Sequence, residues 1–205
     1  MDTLALNWTA IGKALLLLML VNGAPIISRN LLKACLKSLR TAALTNQGKF
    51  IQRFLNNLPA YRSIDWLKFL RTLDDYPVDF AVCWFDGRPV FGNSKTWRGL
   101  FFALLTGSLA APWLGFTWQQ GACFAIYSML GDLLSSFIKR RAGYPESSCF
   151  RVVDTVPESL LPVFLMRQSL SLSYNDIFMV VLLFSILEAL LSPILYGLHI
   201  RKRPY

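Results

Sequence analysis

In the run Gly131-Asp132-Leu133-Leu134-Ser135-Ser136-Phe137-Ile138-Lys139-Arg140-Arg141, four polar side chains share one face of a helix. Asp132, Ser135, Ser136 and Lys139 fall at i, i+3, i+4 and i+7, with Arg140 and Arg141 at the mouth of the stripe. An acid, two hydroxyls and a cation in that register describe a polar cleft; the plainer reading is a locally paired Asp beside ordinary stop-transfer charge. Further on, Asp154 and Glu158 stand at i, i+4 after Arg151. Paired carboxylates suit a hard divalent cation, which takes oxygen ligands, although Asp154 alone could cap a helix. Upstream, the segment Phe85-Asp86-Gly87-Arg88-Pro89-Val90-Phe91-Gly92-Asn93-Ser94-Lys95-Thr96-Trp97-Arg98-Gly99 is glycine-rich, hydroxyl-bearing and basic, and it leads into a helix N-terminus. Those are the parts of a phosphate cradle, without the GxxxxGK[ST] spacing of a P-loop. Its candidate contacts are Asp86, Lys95, Thr96 and Arg98.

The elements that must carry these residues are set by composition. Of 205 residues 54% are hydrophobic and 16% charged, against about 25% charged in soluble domains, and the mean hydropathy is +0.43. The chain reads as an integral membrane protein, and its 15 Phe and 6 Trp exclude disorder. Apolar runs predict a retained span near Thr9–Ile27 and a final one near Ile177–Ile200. The uncharged stretch Gly99–Gly131 would be about 50 Å long as one helix, too long for a ~30 Å hydrocarbon core. It therefore divides into two spans at Pro112, Gly115 and Gln119-Gln120-Gly121. Val152–Leu170 is a fifth span or a re-entrant one.

The net charge of +9 follows the same pattern. All 21 Lys and Arg except Lys13 and Arg167 lie in the four regions that an alternating five-span path puts on one side of the membrane. That side is cytoplasmic by the positive-inside rule, with the N-terminus out and the C-terminus in. The excess of positive charge is thus topological, and nucleic acid is not an expected partner. Residues 44–79 form an insertion within this single membrane domain of residues 1–205. Its apolar residues, among them Phe50, Phe54, Trp66 and Phe69, recur at helical spacing with Lys and Arg between them. Such a segment lies on the cytoplasmic leaflet or packs on the protein's own surface.

The fold expected is therefore all-α, with about five transmembrane helices and a polar cleft open to the cytoplasm. Asn22, followed by Pro25 near the inner end of the first span, is a wall of that cleft or marks a simple kink. Carboxylates and cations at one membrane depth point to phosphoryl or nucleotidyl transfer. In such chemistry a metal bridges phosphate oxygens while Lys and Arg neutralise the developing charge. Four scattered cysteines and the lone His199 offer no covalent hydrolysis machinery and no zinc framework.

The elements Asp86-Gly87-Arg88…Gly92…Lys95-Thr96-Trp97-Arg98-Gly99, Gly131-Asp132…Ser136-Phe137-Ile138-Lys139-Arg140-Arg141, Asp154 and Asn22…Pro25 resemble the CDP-archaeol synthase family. These are five-span relatives of the C-terminal half of phosphatidate cytidylyltransferases. The resemblance implies that CTP and a membrane lipid phosphate react with Mg²⁺ to give a CDP-lipid and pyrophosphate. It implies that Asp132 and Asp154 hold Mg²⁺ and that Lys95, Arg98, Lys139 and Arg140 contact phosphate. Asp132, Lys139 and Asp154 are then the candidate catalytic residues. Glu158 joins Asp132 and Asp154 as a candidate metal ligand. Asn22, Asp86, Thr96, Ser136 and Arg141 complete the candidate substrate contacts. Where the family usually reads Asp-Gln, this chain has Asp154-Thr155, and its loop Gly143–Arg151 is poorer in glycine. Two other readings stay open: a small transporter with a charged cavity, for which Glu188 deep in the last span speaks, and a catalytically lapsed scaffold. Whether the chain forms a homodimer is also open.

Overall fold

The computed structural model describes residues 6–44, 76–145, 148 and 150–197. The first helix, α1 (Trp8–Leu44), is capped by Asn7, whose side-chain oxygen accepts the Ala10 N–H at 3.1 Å. It runs through Pro25 without a break. Ile11, Ala14, Leu17, Leu18 and Val21 are buried, while Leu16, Leu20, Ile27 and Leu31 are exposed. Apolar residues all round a helix mark one face for the protein core and the rest for lipid.

A loop then leads to α2 (Trp97–Ala110), whose N-cap is Thr96. One 3₁₀ turn, Ala111–Leu114, and a left-handed Gly115 reverse the chain into α3 (Trp118–Arg141). Here Gln119-Gln120-Gly121, expected as part of the turn, is instead the first turn of α3. Thr117 and Gln120 form a reciprocal capping box that satisfies two orphan N–H groups. The Pro112–Gly115 part of the expected turn is where the sequence put it. At its other end α3 stops at a Schellman motif: Tyr144 N–H bonds to the Lys139 carbonyl at 3.0 Å and Gly143 N–H to the Arg140 carbonyl at 3.2 Å. Gly143 makes this possible at φ +82°. The remaining helices are α4 (Arg151–Leu165), with Pro157 and Pro162 inside it, and α5 (Tyr174–Gly197).

Among the described residues there are no strands, only isolated bridges at Pro77–Thr96 and Cys83–Pro89. Among the described residues, three helices are long and apolar enough to cross a bilayer: α1 through Trp8–Leu31, α3, and α5. The protein is an all-α membrane protein. The other two expected spans coincide with α2 and α4, of 14 and 15 residues. Most of the expected 44–79 insertion lies outside the described residues; Tyr76–Asp79 belong to the loop before α2.

Close backbone approach holds the bundle together. A Cβ on Gly121 would meet the Gly107 carbonyl oxygen at 2.2 Å, and one on Gly131 would meet the Pro157 carbonyl oxygen at 2.2 Å. Small residues are the general device by which helices pack where hydrophobicity gives no drive between them. Phe124, Val163, Val180 and Phe184 fill the core between these seams. At the end away from Asp132, the buried Asp176 ties two helix starts together. It accepts N–H bonds from Asn7 at 2.9 Å and from Ser173 at 2.8 Å. Gly131→Ala drives Cβ against backbone that cannot yield locally. The expected loss is about 1–3 kcal/mol, seen as a lower thermal midpoint in detergent. Gly12→Ala, with nothing within 4 Å, leaves the midpoint unchanged.

Candidate active site

Lys95 is the last residue but one before α2, and the chain reaches it through a loop held by a carboxylate. Asp79 is buried and accepts three backbone N–H groups: Ala81 at 3.1 Å, Phe91 at 2.8 Å and Gly92 at 2.9 Å. These bonds gather both arms of the loop and support Phe80 and Ala81, which sit at φ 50° and 59°. Left-handed backbone costs a non-glycine residue about 1–2 kcal/mol, which the Asp79 bonds offset.

The loop is also latched to the end of α3. Arg88 donates to the Arg140 and Arg141 carbonyls at 3.3 and 3.0 Å. Arg141 in turn pairs with Asp86 and donates to the Pro89 carbonyl at 2.7 Å. Burial works to raise the Asp86 pKa, but the Arg88 N–H and the Arg141 guanidinium outweigh it and hold the carboxyl below its usual 3.8. A depressed carboxylate stabilises above its unfolded pKa and loses that contribution as pH falls through the folded value. The latch is therefore complete at neutral pH and loosens only in acid.

So positioned, the Lys95 ammonium bonds both carboxylate oxygens of Asp132, at 2.6 and 2.5 Å. Two turns nearer the end of α3, Lys139 Nζ lies 2.5 Å from Asp154 Oδ1 on the first turn of α4 and donates to the Ser148 carbonyl at 3.3 Å. About a quarter of the Asp132 and Asp154 side chains remains open, at 26% and 27%, so a ligand can reach both carboxylates. Burial acts to lower the Lys95 pKa, yet Asp132, with Glu158 and Asp154 behind it, drives it above 10.5. The ammonium stays charged throughout the neutral range.

The structure thus brings Lys95, Asp132, Glu158 and Asp154 into one electrostatic cluster, with Lys139 on its rim. Asn22 reaches it indirectly: Ser128 Oγ lies 2.9 Å from Asn22 Oδ1 and 3.2 Å from the Glu158 carbonyl oxygen. Ser136, Arg98 and Arg140 are buried nearby on α3 and at the start of α2. Thr96 serves its helix, accepting the Gly99 N–H at 3.3 Å. Asp86 and Arg141 face each other in the latch. Asp154 is not the cap of α4: the N-cap is Phe150, and Asp154, in the first turn, accepts the Phe150 N–H at 3.3 Å. Among the described residues, Asp132, Asp154 and Glu158 do not close on a common point as a ready three-ligand cluster.

Beside the Lys95–Asp132 pair, an apolar groove of about 320 Å³ opens between α2 and α3. Trp97, Leu100, Leu104, Met129 and Leu133 line it. The sequence reading missed this groove, Asp79 and Ser128. Each depends on contacts between segments far apart in the chain.

A family model described as CarS-like, CDP-archaeol synthase, matches residues 114–205. The CDP-archaeol synthase of Pyrobaculum islandicum is 30% identical over 137 residues, 63% of this chain and 82% of that protein. The chain belongs to the CDP-archaeol synthase family. A second relative, the CDP-archaeol synthase of Pyrococcus furiosus, is 39% identical over 79 residues, 34% of this chain and 47% of that protein. The chain spans about half the length of this and several other curated family members. A solved intramembrane enzyme for archaeal membrane lipids biosynthesis shares the fold, with TM-score 0.50 and 23% identity over 55% of this chain and 75% of that one.

The pairing of Lys95 with Asp132 predicts energetic coupling. Lys95→Met and Asp132→Asn each lower the thermal midpoint, because each leaves a half-buried charge without its partner. The double variant loses less than the sum of the two, with a coupling of about 0.5–3 kcal/mol. Additive losses in reversible unfolding would show that the pair does not act as a unit.

Proposed function

We propose that this protein is a CTP-dependent cytidylyltransferase that converts a membrane lipid phosphate into a CDP-lipid with release of pyrophosphate. The observation that carries the reading is the convergence of two ammonium–carboxylate pairs, Lys95–Asp132 and Lys139–Asp154, at one end of a membrane bundle, in a chain of the CDP-archaeol synthase family. Phosphoryl-group chemistry needs little covalent help from protein and much positioning and charge neutralisation. A lipid phosphate oxygen attacks the α-phosphorus of CTP; the new P–O bond forms as the bond to the β-phosphate oxygen breaks, and pyrophosphate leaves.

In this reading Lys95 and Lys139 turn from their carboxylates toward the nucleotide phosphates, and Arg98 and Arg140 add charge at the same depth. Asp132 and Asp154 would hold Mg²⁺, with Glu158 in support. Hard oxygen donors that already hold cationic ammonium groups fit such an ion, and Mg²⁺ commonly takes only one or two carboxylates and fills its shell with phosphate and water. Bound there, it would supply Lewis-acid neutralisation of phosphate charge. The groove along Trp97 and Leu133 would receive the lipid chains, leaving the phosphate at Lys95.

The membrane placement is part of the proposal. With its 3₁₀ turn, α2 measures about 29 Å, close to the hydrocarbon thickness, and α4 with its prolines completes a five-span path. Exposed Trp8, Trp113, Trp118 and Tyr174 mark one end, and Tyr76, Trp84, Trp97 and Tyr144 the other, as aromatic belts do at both interfaces. Lys13 and Arg167, the two cations outside the basic regions, lie over the Phe116 and Tyr174 rings at the first end. The site is then at the basic, cytoplasmic end.

The experiment is transfer of labelled CMP from CTP to a panel of ether- and ester-linked lipid phosphates, with Mg²⁺ or with EDTA. A CDP-lipid forms with Mg²⁺ and not with EDTA. Asp132→Asn and Asp154→Asn reduce turnover by about 10²-fold or more, as loss of a transition-state charge contact does. Absence of product with every lipid, in folded protein, would overturn the reading.

A further inference from the structure

The loop that delivers Lys95 also carries an apolar tip that the site does not use. Val82, Trp84 and Phe85 are exposed, Phe85 at 97%, and Phe80 projects from left-handed backbone at 64% exposure. The Phe80 ring rests 6.0 Å from that of Trp97; Val82 and Phe85 are left as exposed large apolar side chains that call for a partner.

Its surroundings point to that partner. Trp84 packs edge-on against Phe137 of α3, with ring centroids 5.6 Å apart. Phe137 lies four residues before the end of a span-length helix, about 6 Å inside it. Along the same helix Ile126, Leu130, Leu134 and Ile138 form an exposed stripe at four-residue spacing. In a membrane-spanning α3 that stripe faces lipid, and Trp84, with Phe85 edge-on to it at 5.3 Å, packs on Phe137 beside the stripe's last member, Ile138. Arg141 stands above the Phe137 ring at 5.2 Å and donates to the Arg88 carbonyl at 3.2 Å, so both arginines lie at the end of α3 that Trp84 touches. Aromatic residues backed by arginine suit the boundary between acyl chains and phosphate headgroups.

We propose that Val82–Phe85 is an interfacial foot, seated in the headgroup and upper acyl region of the bilayer, that anchors the Lys95 loop to the membrane surface. The foot rests on the reading of α3 as a span, and on nothing about the reaction. Because Asp79 and the Arg88–Arg141 latch couple the foot to the rest of the loop, the depth at which Lys95 meets Asp132 follows from its seat.

Cys83, exposed at the centre of the foot, gives the test. An environment-sensitive NBD label is placed on Cys83 in the full chain carrying Cys35→Ala, Cys123→Ala and Cys149→Ala, reconstituted in vesicles of phosphatidylcholine with phosphatidylglycerol. Phe85→Cys in the same chain with Cys83→Ala gives a second site, and Leu130→Cys there reports on the mid-span surface. The expected result at 83 and 85 is blue-shifted emission, quenched at least about twofold by lipids brominated near the glycerol end of the chain, and little by aqueous iodide. Water-like emission quenched by iodide at both foot sites, with lipid quenching at 130, overturns the foot alone. Blue-shifted emission insensitive to both quenchers also overturns it, since protein then covers the tip. Loss of lipid quenching at 130 removes the membrane reading of α3 and the foot with it.

Discussion

A lysine ammonium held against a carboxylate at the end of an apolar bundle is the constraint to which the rest of the structure answers. Neither Lys95 nor Asp132 is tolerable alone at this depth, where an unpaired charge costs several kcal/mol. They arrive from different directions, Asp132 on a rigid helix and Lys95 on a loop, so the loop must be fixed as firmly as the helix. Asp79 closes the loop on itself, Arg88 fastens it to the last carbonyls of α3, and Thr96 passes it into α2. Each device satisfies polar backbone groups that would otherwise be costly near the membrane.

The second pair depends on the seam between α3 and α4. Gly131 precedes Asp132, and its missing side chain is what lets the Pro157 carbonyl approach. That approach brings the first turn of α4, with Asp154, within reach of Lys139, and Glu158 within the field of Lys95. Pro162 belongs to the same arrangement: having no N–H, it leaves the Glu158 carbonyl without its helical donor, and Ser128 Oγ lies 3.2 Å from that carbonyl oxygen instead. Packing and charge placement are therefore one problem here: the glycine that permits contact stands beside the aspartate that needs it.

The sequence made the helices and most of the charged cluster legible because both are local patterns. Apolar runs, the Gly115 turn and the i, i+3, i+4, i+7 register of Asp132, Ser135, Ser136 and Lys139 need only neighbours along the chain. What stayed hidden was long-range. Asp79 lies at the edge of a segment that reads as a separate insertion, and its partners Phe91 and Gly92 carry no side-chain signal of the bond. Asp86 and Arg141 look alike as phosphate contacts in sequence, yet 55 residues apart they meet in space. Gln119-Gln120-Gly121 reads as turn by composition, and only the Thr-x-x-Gln spacing of Thr117 and Gln120 distinguishes a capping box. Asp176 gave no sign that its oxygens hold the start of α1.

The two ends of the bundle differ in how completely their polar groups are satisfied. At the Asp176 end the buried carboxylate has backbone donors from two segments and a serine hydroxyl, and the nearby cations rest on aromatic rings. At the Asp132 end, Asn22 Nδ2, Arg140 Nε and Ser148 Oγ are buried without hydrogen-bond partners. A buried donor left unsatisfied costs about 1–3 kcal/mol, so a bundle selected for stability alone would treat both ends alike. Under the proposed function that inequality has a physical reason: the fold is closed where it must not move, and it is short of acceptors where the phosphates of an anionic ligand would supply them.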